Sequence, residues 1–227
     1  MASDPSGRPV YVLVWDVPIR LFHWSIVILV AVSWFSADQG YMRVHLWSGS
    51  ALLVLLLFRL AWGFAGSTTA RFASFLHPLP RVIGYLRGLL RGDRLLYAGH
   101  NPAGGLMVMA LIAVLLAQAV TGLFASDGVR FTAPLALLVS EEMSLRITGW
   151  HGLIFNLILV LVWCHVVAVG FYLLVKGDNL VRPMLTGRKP HSHVPHDTAL
   201  RFTHPLIALL VLAVMAGLVA LLVFRGN

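Results

Sequence analysis

The sequence predicts an all-α membrane protein, a four-helix transmembrane bundle with a fifth, C-terminal transmembrane helix. Three observations carry this expectation. The 227 residues are 59% hydrophobic and 11% charged, with a mean hydropathy of +0.84. A soluble chain this poor in charge could not cover its surface. Five apolar stretches approach the ~20 residues a helix needs to cross ~30 Å of hydrocarbon. Four histidines fall in or at the ends of those stretches, where an imidazole facing lipid is costly and so belongs to the bundle interior or a site.

The first twenty residues, with Pro5, Pro9 and Pro18, read as a polar arm near the headgroups. The first span is 21–37, with Trp24 and Trp34 where an aromatic belt would lie. A short turn leads into the second span, 44–63. Residues 66–102 are too polar to cross. Within them, PLPRVIGYLRGLLRGDR (78–94) reads as an amphipathic helix lying on the membrane surface. Asn101 is placed to cap a helix that begins at Pro102. The third span is 103–124, and the loop after it carries Asp127, Glu141 and Glu142. The fourth span is 150–175, a basic loop follows at 177–204, and the fifth span is 205–224.

Lys and Arg set the expected orientation. Arg8 and Arg20 lie in the arm, Arg71, Arg81, Arg87, Arg91 and Arg94 follow the second span, and Lys176, Arg182, Arg188, Lys189 and Arg201 follow the fourth. The opposite side holds Arg43, Arg130, Arg146 and Arg225. The N-terminus is therefore expected in the cytoplasm and the C-terminus outside. The net charge of +8 reports topology and contact with anionic lipid rather than nucleic acid. The single cysteine, Cys164, makes no internal disulfide, and no CxxCH motif offers covalent attachment of a c-type haem. HExxH is absent as well.

His151 and His165 are fourteen residues apart in the fourth span. At 100° per residue they fall about 40° short of four full turns, so both rings look the same way, roughly 21 Å apart along the axis. By depth His45 belongs with His151 on the outer side, and His23 with His165 on the cytoplasmic side. Two facing histidines can ligate haem iron axially, or hold zinc or copper. An apolar two-ligand site favours haem, whose porphyrin supplies four more nitrogens, whereas zinc asks for three or four protein ligands. Gly49, Gly122, Gly149, Gly152 and Gly170 would let a flat macrocycle approach the helices, or serve ordinary helix packing. Arg59 lies fourteen residues after His45, at the depth of His23 and His165. It either meets a haem propionate or snorkels to the headgroups, and Arg20 is a second propionate candidate. Gln118 and Asn156 either make interhelical hydrogen bonds or line a quinone pocket. His100 is a turn residue before the third span, or a contact to a propionate or quinone. HSHVPH (191–196) reads as a solvated loop.

Taken together, WDVPIRLFHW (15–24), FRLAWGF (58–64), GHNPAGGLMV (99–108), TGLF (121–124), the two histidines of the fourth span and FYLLVKGDNLVRPMLTGRK (171–189) resemble the bacterial cytochrome b561 / nickel–iron hydrogenase b-type cytochrome subunit family. The similarity covers about residues 11–190 and is closest to the subgroup found with periplasmic c-type cytochromes. It implies a di-haem transmembrane domain at 1–190, with 191–227 as a loop end and an extra helix outside that core. It implies two b haems, one on His23 and His165 at the cytoplasmic side, the other on His45 and His151 at the periplasmic side. It further implies a multi-pass protein of the bacterial inner membrane. There it would pass electrons between a quinone, ubiquinone or menaquinone, and a periplasmic c-type cytochrome or hydrogenase-like partner. Two alternatives stay open at this point: a stand-alone superoxide:quinone oxidoreductase, and a histidine-bearing transporter or metal-binding membrane protein without haem.

Overall fold

The computed structural model describes residues 10–93, 95–195 and 199–224. It is an all-α membrane protein, with five helices among the described residues long and apolar enough to span a bilayer. A short strand β1 (Tyr11–Leu13) precedes α1 (Val17–Asp38). A tight turn through Gly40 leads into α2 (Met42–Ala65). The one-turn helix α3 (Phe72–Phe75) and the amphipathic α4 (Leu79–Arg91) come next. Then follow α5 (Pro102–Leu123), α6 (Glu141–Leu174), α7 (Val181–Thr186), the strand β2 (Arg188–Pro190) and α8 (Pro205–Phe224).

Local chemistry explains where the long helices begin. Asp16 caps α1 by accepting from Ile19 N at 2.8 Å, with Pro18 in the first turn. Asn101 caps α5 by accepting from Gly104 N at 2.8 Å, ahead of Pro102. Ser140 caps α6, and Glu141 and Glu142 fill its first turn, where the helix dipole favours negative charge. At 34 residues α6 is roughly 51 Å long, well beyond the hydrocarbon thickness, so its first turns stand clear of the apolar layer.

The most buried helix is α2, and it packs on α1, α5 and α8. One core cluster joins four helices. Leu56 of α2, Leu115 of α5 and Ile158 of α6 are buried together, with Ile26 and Val30 of α1 against them. Leu53, Leu123, Val219 and Val223 form a second cluster that fixes α8 to α2 and α5. Elsewhere α6 shows Leu157, Val160, Trp163 and Val166 to its surroundings. A continuous apolar face of this kind belongs in lipid.

The arm and the segment after α6 are more ordered than the polar sequence suggests. β1 and β2 pair antiparallel, Tyr11 opposite Pro190 and Leu13 opposite Arg188. Val14 N and Trp15 N both donate to Gly187 O, at 2.8 and 3.1 Å. Gly187 has φ +80°, and a Cβ there would lie 2.8 Å from Trp15 O, so only glycine suits the position. This clasp closes the end of the bundle that holds the start of α1 and the end of α6. The basic loop expected at 177–204 is thus partly structure: α7, β2 and a 3₁₀ turn at His191–His193. His193 Nδ1 lies 3.0 Å from Asp178 Oδ1, and Lys189 Nζ 3.0 Å from Asp178 Oδ2, so these residues are tied down rather than merely solvated. Arg8, Arg94, His196 and Arg225 lie outside the described residues.

Candidate haem sites

Both histidine pairs meet. The rings of His45 and His151 have centres 6.0 Å apart, and those of His23 and His165 6.4 Å apart. Two imidazoles binding one ion from opposite sides, each nitrogen about 2.0 Å from it, put their ring centres roughly 6.3 Å apart. Each pair is therefore spaced to share a single metal ion. The first pair sits at the loop end of the bundle, near the α1–α2 turn. The second sits at the arm end, near the clasp.

At the loop end the hydrogen-bond partners indicate which ring nitrogen carries a proton. His45 Nδ1 is 2.8 Å from the carbonyl oxygen of Ser33 on α1. A carbonyl only accepts, so Nδ1–H donates and the Nε2 lone pair is left free. His151 Nδ1 lies 3.1 Å from Thr121 Oγ1, a hydroxyl already donating back to Ala117 O at 2.8 Å. With Gln118 donating its amide N–H to Nε2 at 3.0 Å, Nδ1–H is the donor to Thr121, and Gln118 must turn aside for Nε2 to bind a metal ion. Both rings thus present Nε2 as the ligand atom and have Nδ1 held by an oxygen, the arrangement that orients metal-binding histidines. A cavity of about 260 Å³ opens beside them between α1, α2, α5 and α6. Gly49 and Gly152 line it, and a Cβ on either would meet nothing within 4 Å. Gly122 serves a different purpose: a Cβ there would lie 3.0 Å from His151 Cε1, so its absence makes room for the ring.

The arm end is built differently. Among the described residues no hydrogen bond reaches the ring of His23 or His165, and His23 Nδ1 is buried without a partner. Arg59 is buried, 3% exposed, with its guanidinium 5.0 Å from the Phe72 ring centre and 5.9 Å from that of Phe75. It does not snorkel, and its Nη1 has no partner. His100 is wedged between Trp15, at 4.8 Å, and Phe75, at 4.9 Å. Burial, followed by the nearby Arg59 guanidinium and the His165 and His23 rings, lowers its pKa to about 3, so the ring is neutral. Its Nδ1 is likewise buried and unpaired. Arg20, one turn before His23, donates through Nη2 to Leu185 O while its Nε is buried and unpaired. Each such orphan costs about 1–3 kcal/mol, and more where the group is charged. Three side chains singled out by the sequence, Arg20, Arg59 and His100, thus hold unsatisfied nitrogen atoms at this end. An anionic acceptor is what would satisfy the two guanidinium groups.

The arrangement fits haem. Among the described residues no three His, Cys, Asp or Glu side chains converge on a metal position, so each site offers two protein ligands. Haem iron brings four nitrogens of its own and two carboxylates, which answers both the ligand count and the unpaired donors. Sequence reasoning did not reach Ser33 and Thr121, the partners of His45 and His151, or Trp15 and Phe75 around His100. Gln118, read as an interhelical hydrogen-bonding or quinone-lining residue, reaches His151. No side-chain hydrogen bond is found for Asn156 among the described residues.

A family model described as prokaryotic cytochrome b561 matches residues 14–187, most of the chain and all three helices that carry the paired histidines. No curated protein and no solved structure matches the chain.

Proposed function

Because the chain belongs to the prokaryotic cytochrome b561 family, whose members transfer electrons across a membrane through b haem, we propose that it holds two such haems and links a quinone to a periplasmic redox partner. The observation that carries the reading is the ring spacing, 6.0 Å for His45–His151 and 6.4 Å for His23–His165. Both values match two imidazoles sharing one ion.

When bound, the haems supply one-electron chemistry at fixed positions. The protein's part is to place and tune them. His45 and His151 offer their Nε2 atoms across the cavity, held by Ser33 O and Thr121. His23 and His165 face each other at the arm end, where Arg59 and Arg20 would take the propionates and His100 would donate from a neutral ring. Two histidines per iron leave no open coordination position, which favours electron transfer over oxygen activation. The basic residues of the arm, of the segment after α2 and of the segment after α6 favour the cytoplasm for the arm end. The His45–His151 end then faces the periplasm and the partner. The quinone, ubiquinone or menaquinone, is the membrane-soluble substrate. Residues 1–190 form the di-haem unit, and α8 is an added helix packed on α2.

The test is spectroscopic. Protein purified in detergent should show a reduced-minus-oxidised spectrum of b type and two non-covalent haems per chain by pyridine haemochrome. His151→Ala and His165→Ala should each remove one haem. Colourless protein, or single variants that keep both haems, would overturn the assignment. Mixing the reduced protein anaerobically with quinone, then with a c-type cytochrome, shows whether each accepts or supplies electrons.

A further inference from the structure

The two histidine pairs differ in what surrounds them, and the difference bears on the energy of an electron at each. At the loop end both distal N–H groups have acceptors: Ser33 O at 2.8 Å from His45 Nδ1, and Thr121 Oγ1 at 3.1 Å from His151 Nδ1. At the arm end His23 Nδ1 has no acceptor, and no hydrogen bond reaches His165 among the described residues. The arm end instead has the buried guanidinium of Arg59, whose charge the buried Asp16 carboxylate offsets only in part, and the half-buried Arg20 one turn from His23.

We propose that these contacts tune the two sites unequally, so that the His45–His151 site has the lower reduction potential and the His23–His165 site the higher. The proposal rests on the electron-transfer reading above. An acceptor on the distal N–H of an axial imidazole draws the ring toward imidazolate and raises its basicity. A more basic ligand stabilises the oxidised, more positive iron and lowers the potential. A positive charge fixed in a medium of low dielectric acts the other way, since it disfavours the more positive oxidised state. Both effects push the sites apart in the same sense.

Thr121 is the tuning residue with a side chain that can be altered. Its hydroxyl is anchored to Ala117 O at 2.8 Å, so its lone pair is held toward His151. Ser33 acts through its backbone carbonyl, and its own hydroxyl is engaged with Ser48 at 2.7 Å. The consequence is a direction. An electron delivered to the loop end by a one-electron protein donor runs downhill to the arm end, with one site oxidised, the other reduced, and no bond made or broken. A quinone at the arm end would then take two such electrons in succession, together with two protons from water at that side, to become quinol.

The experiment is an anaerobic potentiometric titration of the purified protein, following the visible haem bands. Two waves are expected. His45→Ala should leave only the higher wave and His23→Ala only the lower. Thr121→Val should move the lower wave to higher potential and leave the other in place. Thr121→Ser, which keeps the hydroxyl, should restore the original value. Arg59→Gln should move the higher wave down. The proposal is overturned if His45→Ala leaves the lower wave, or if Thr121→Val shifts neither wave or both equally. If a ligand variant fails to assemble, the comparison of Thr121→Val with Thr121→Ser still decides. Protein without haem would instead overturn the underlying electron-transfer reading.

Discussion

The Asp16 carboxylate accepts a hydrogen bond from the Trp62 indole at 3.1 Å, across 46 positions of sequence. Its other oxygen caps α1 through Ile19 N. One buried side chain thereby sets the start of α1 against the end of α2, and with it the relative placement of His23 and Arg59. Asp16→Ala removes the cap, about 1 kcal/mol, and leaves a buried indole N–H unpaired, about 1–3 kcal/mol. The expected loss is about 2–4 kcal/mol, read as a lower unfolding midpoint in detergent. Asp16→Asn keeps one acceptor oxygen, which serves the cap, and should lose less than Asp16→Ala, although its amide nitrogen cannot accept from the Trp62 indole. Equal losses for the two variants would show that the cap does not carry the effect.

Gly122 makes the room that His151 occupies. Gly122→Leu places a branched side chain where even a Cβ comes within 3.0 Å of the imidazole. The ring must swing away, and the loop-end haem should be lost while the arm-end haem remains. Haem content per chain checks this, with one b haem expected in place of two. Gly49→Ala, which meets open space, should retain both.

Gly187 is held at φ +80° under the arm. Gly187→Ala combines a left-handed backbone with a Cβ 2.8 Å from Trp15 O. The strain is on the order of 1–3 kcal/mol, and the pairing of β1 with β2 is where it can be released. Limited proteolysis should then cut the arm near Tyr11 in the variant well before it cuts the parent protein. Unchanged protection would show that the clasp tolerates the shift.

The loop after α5 is organised by a single carboxylate. Asp127 Oδ1 accepts from Val129 N, Arg130 N and Phe131 N at 2.9, 2.8 and 2.8 Å. The bond from Phe131 and then those from Val129 and Arg130 hold its pKa below the ordinary carboxylate value. A depressed folded value means that the stabilising contribution is complete above the ordinary range and is lost as pH falls through the depressed one. Loop protection in hydrogen exchange should therefore be level from neutral pH down to about 4, the ordinary carboxylate region, and fall only below it. Asp127→Ala should show the unprotected loop at neutral pH.

The pairing of histidines by depth was legible because membrane spans impose it. A fixed rise per residue and a fixed thickness turn sequence position into height, so His45 could be matched to His151, and His23 to His165, before any contact was known. Arg59 was legible as being at the right depth, but its environment was not: Phe72 and Phe75, which take it out of reach of the headgroups, lie in a segment too polar to cross the membrane. The oxygens on His45 and His151 were hidden for another reason. One is a backbone carbonyl, which has no sequence signature, and Thr121 is thirty positions from the ring it orients. The strands β1 and β2 are three residues each and pair across the sequence of four intervening spans, so no periodicity announces them. The helix of the fourth span begins at Glu141, ahead of the expected span start at 150, because a capped helix continues into water, where Glu142 and Arg146 pair at 3.0 Å and no apolar pattern is needed.

The fourteen residues between His151 and His165 on α6 have an electrical consequence. About 21 Å of rise in ~30 Å of hydrocarbon is about seven tenths of the field across the membrane. An electron moved from one end to the other is therefore coupled to the transmembrane voltage by about 1.6 kcal/mol for each 100 mV. With the arm end at the negative side, inward transfer works against that voltage. In the orientation and direction proposed above, a higher membrane potential would slow electron transfer between the two sites.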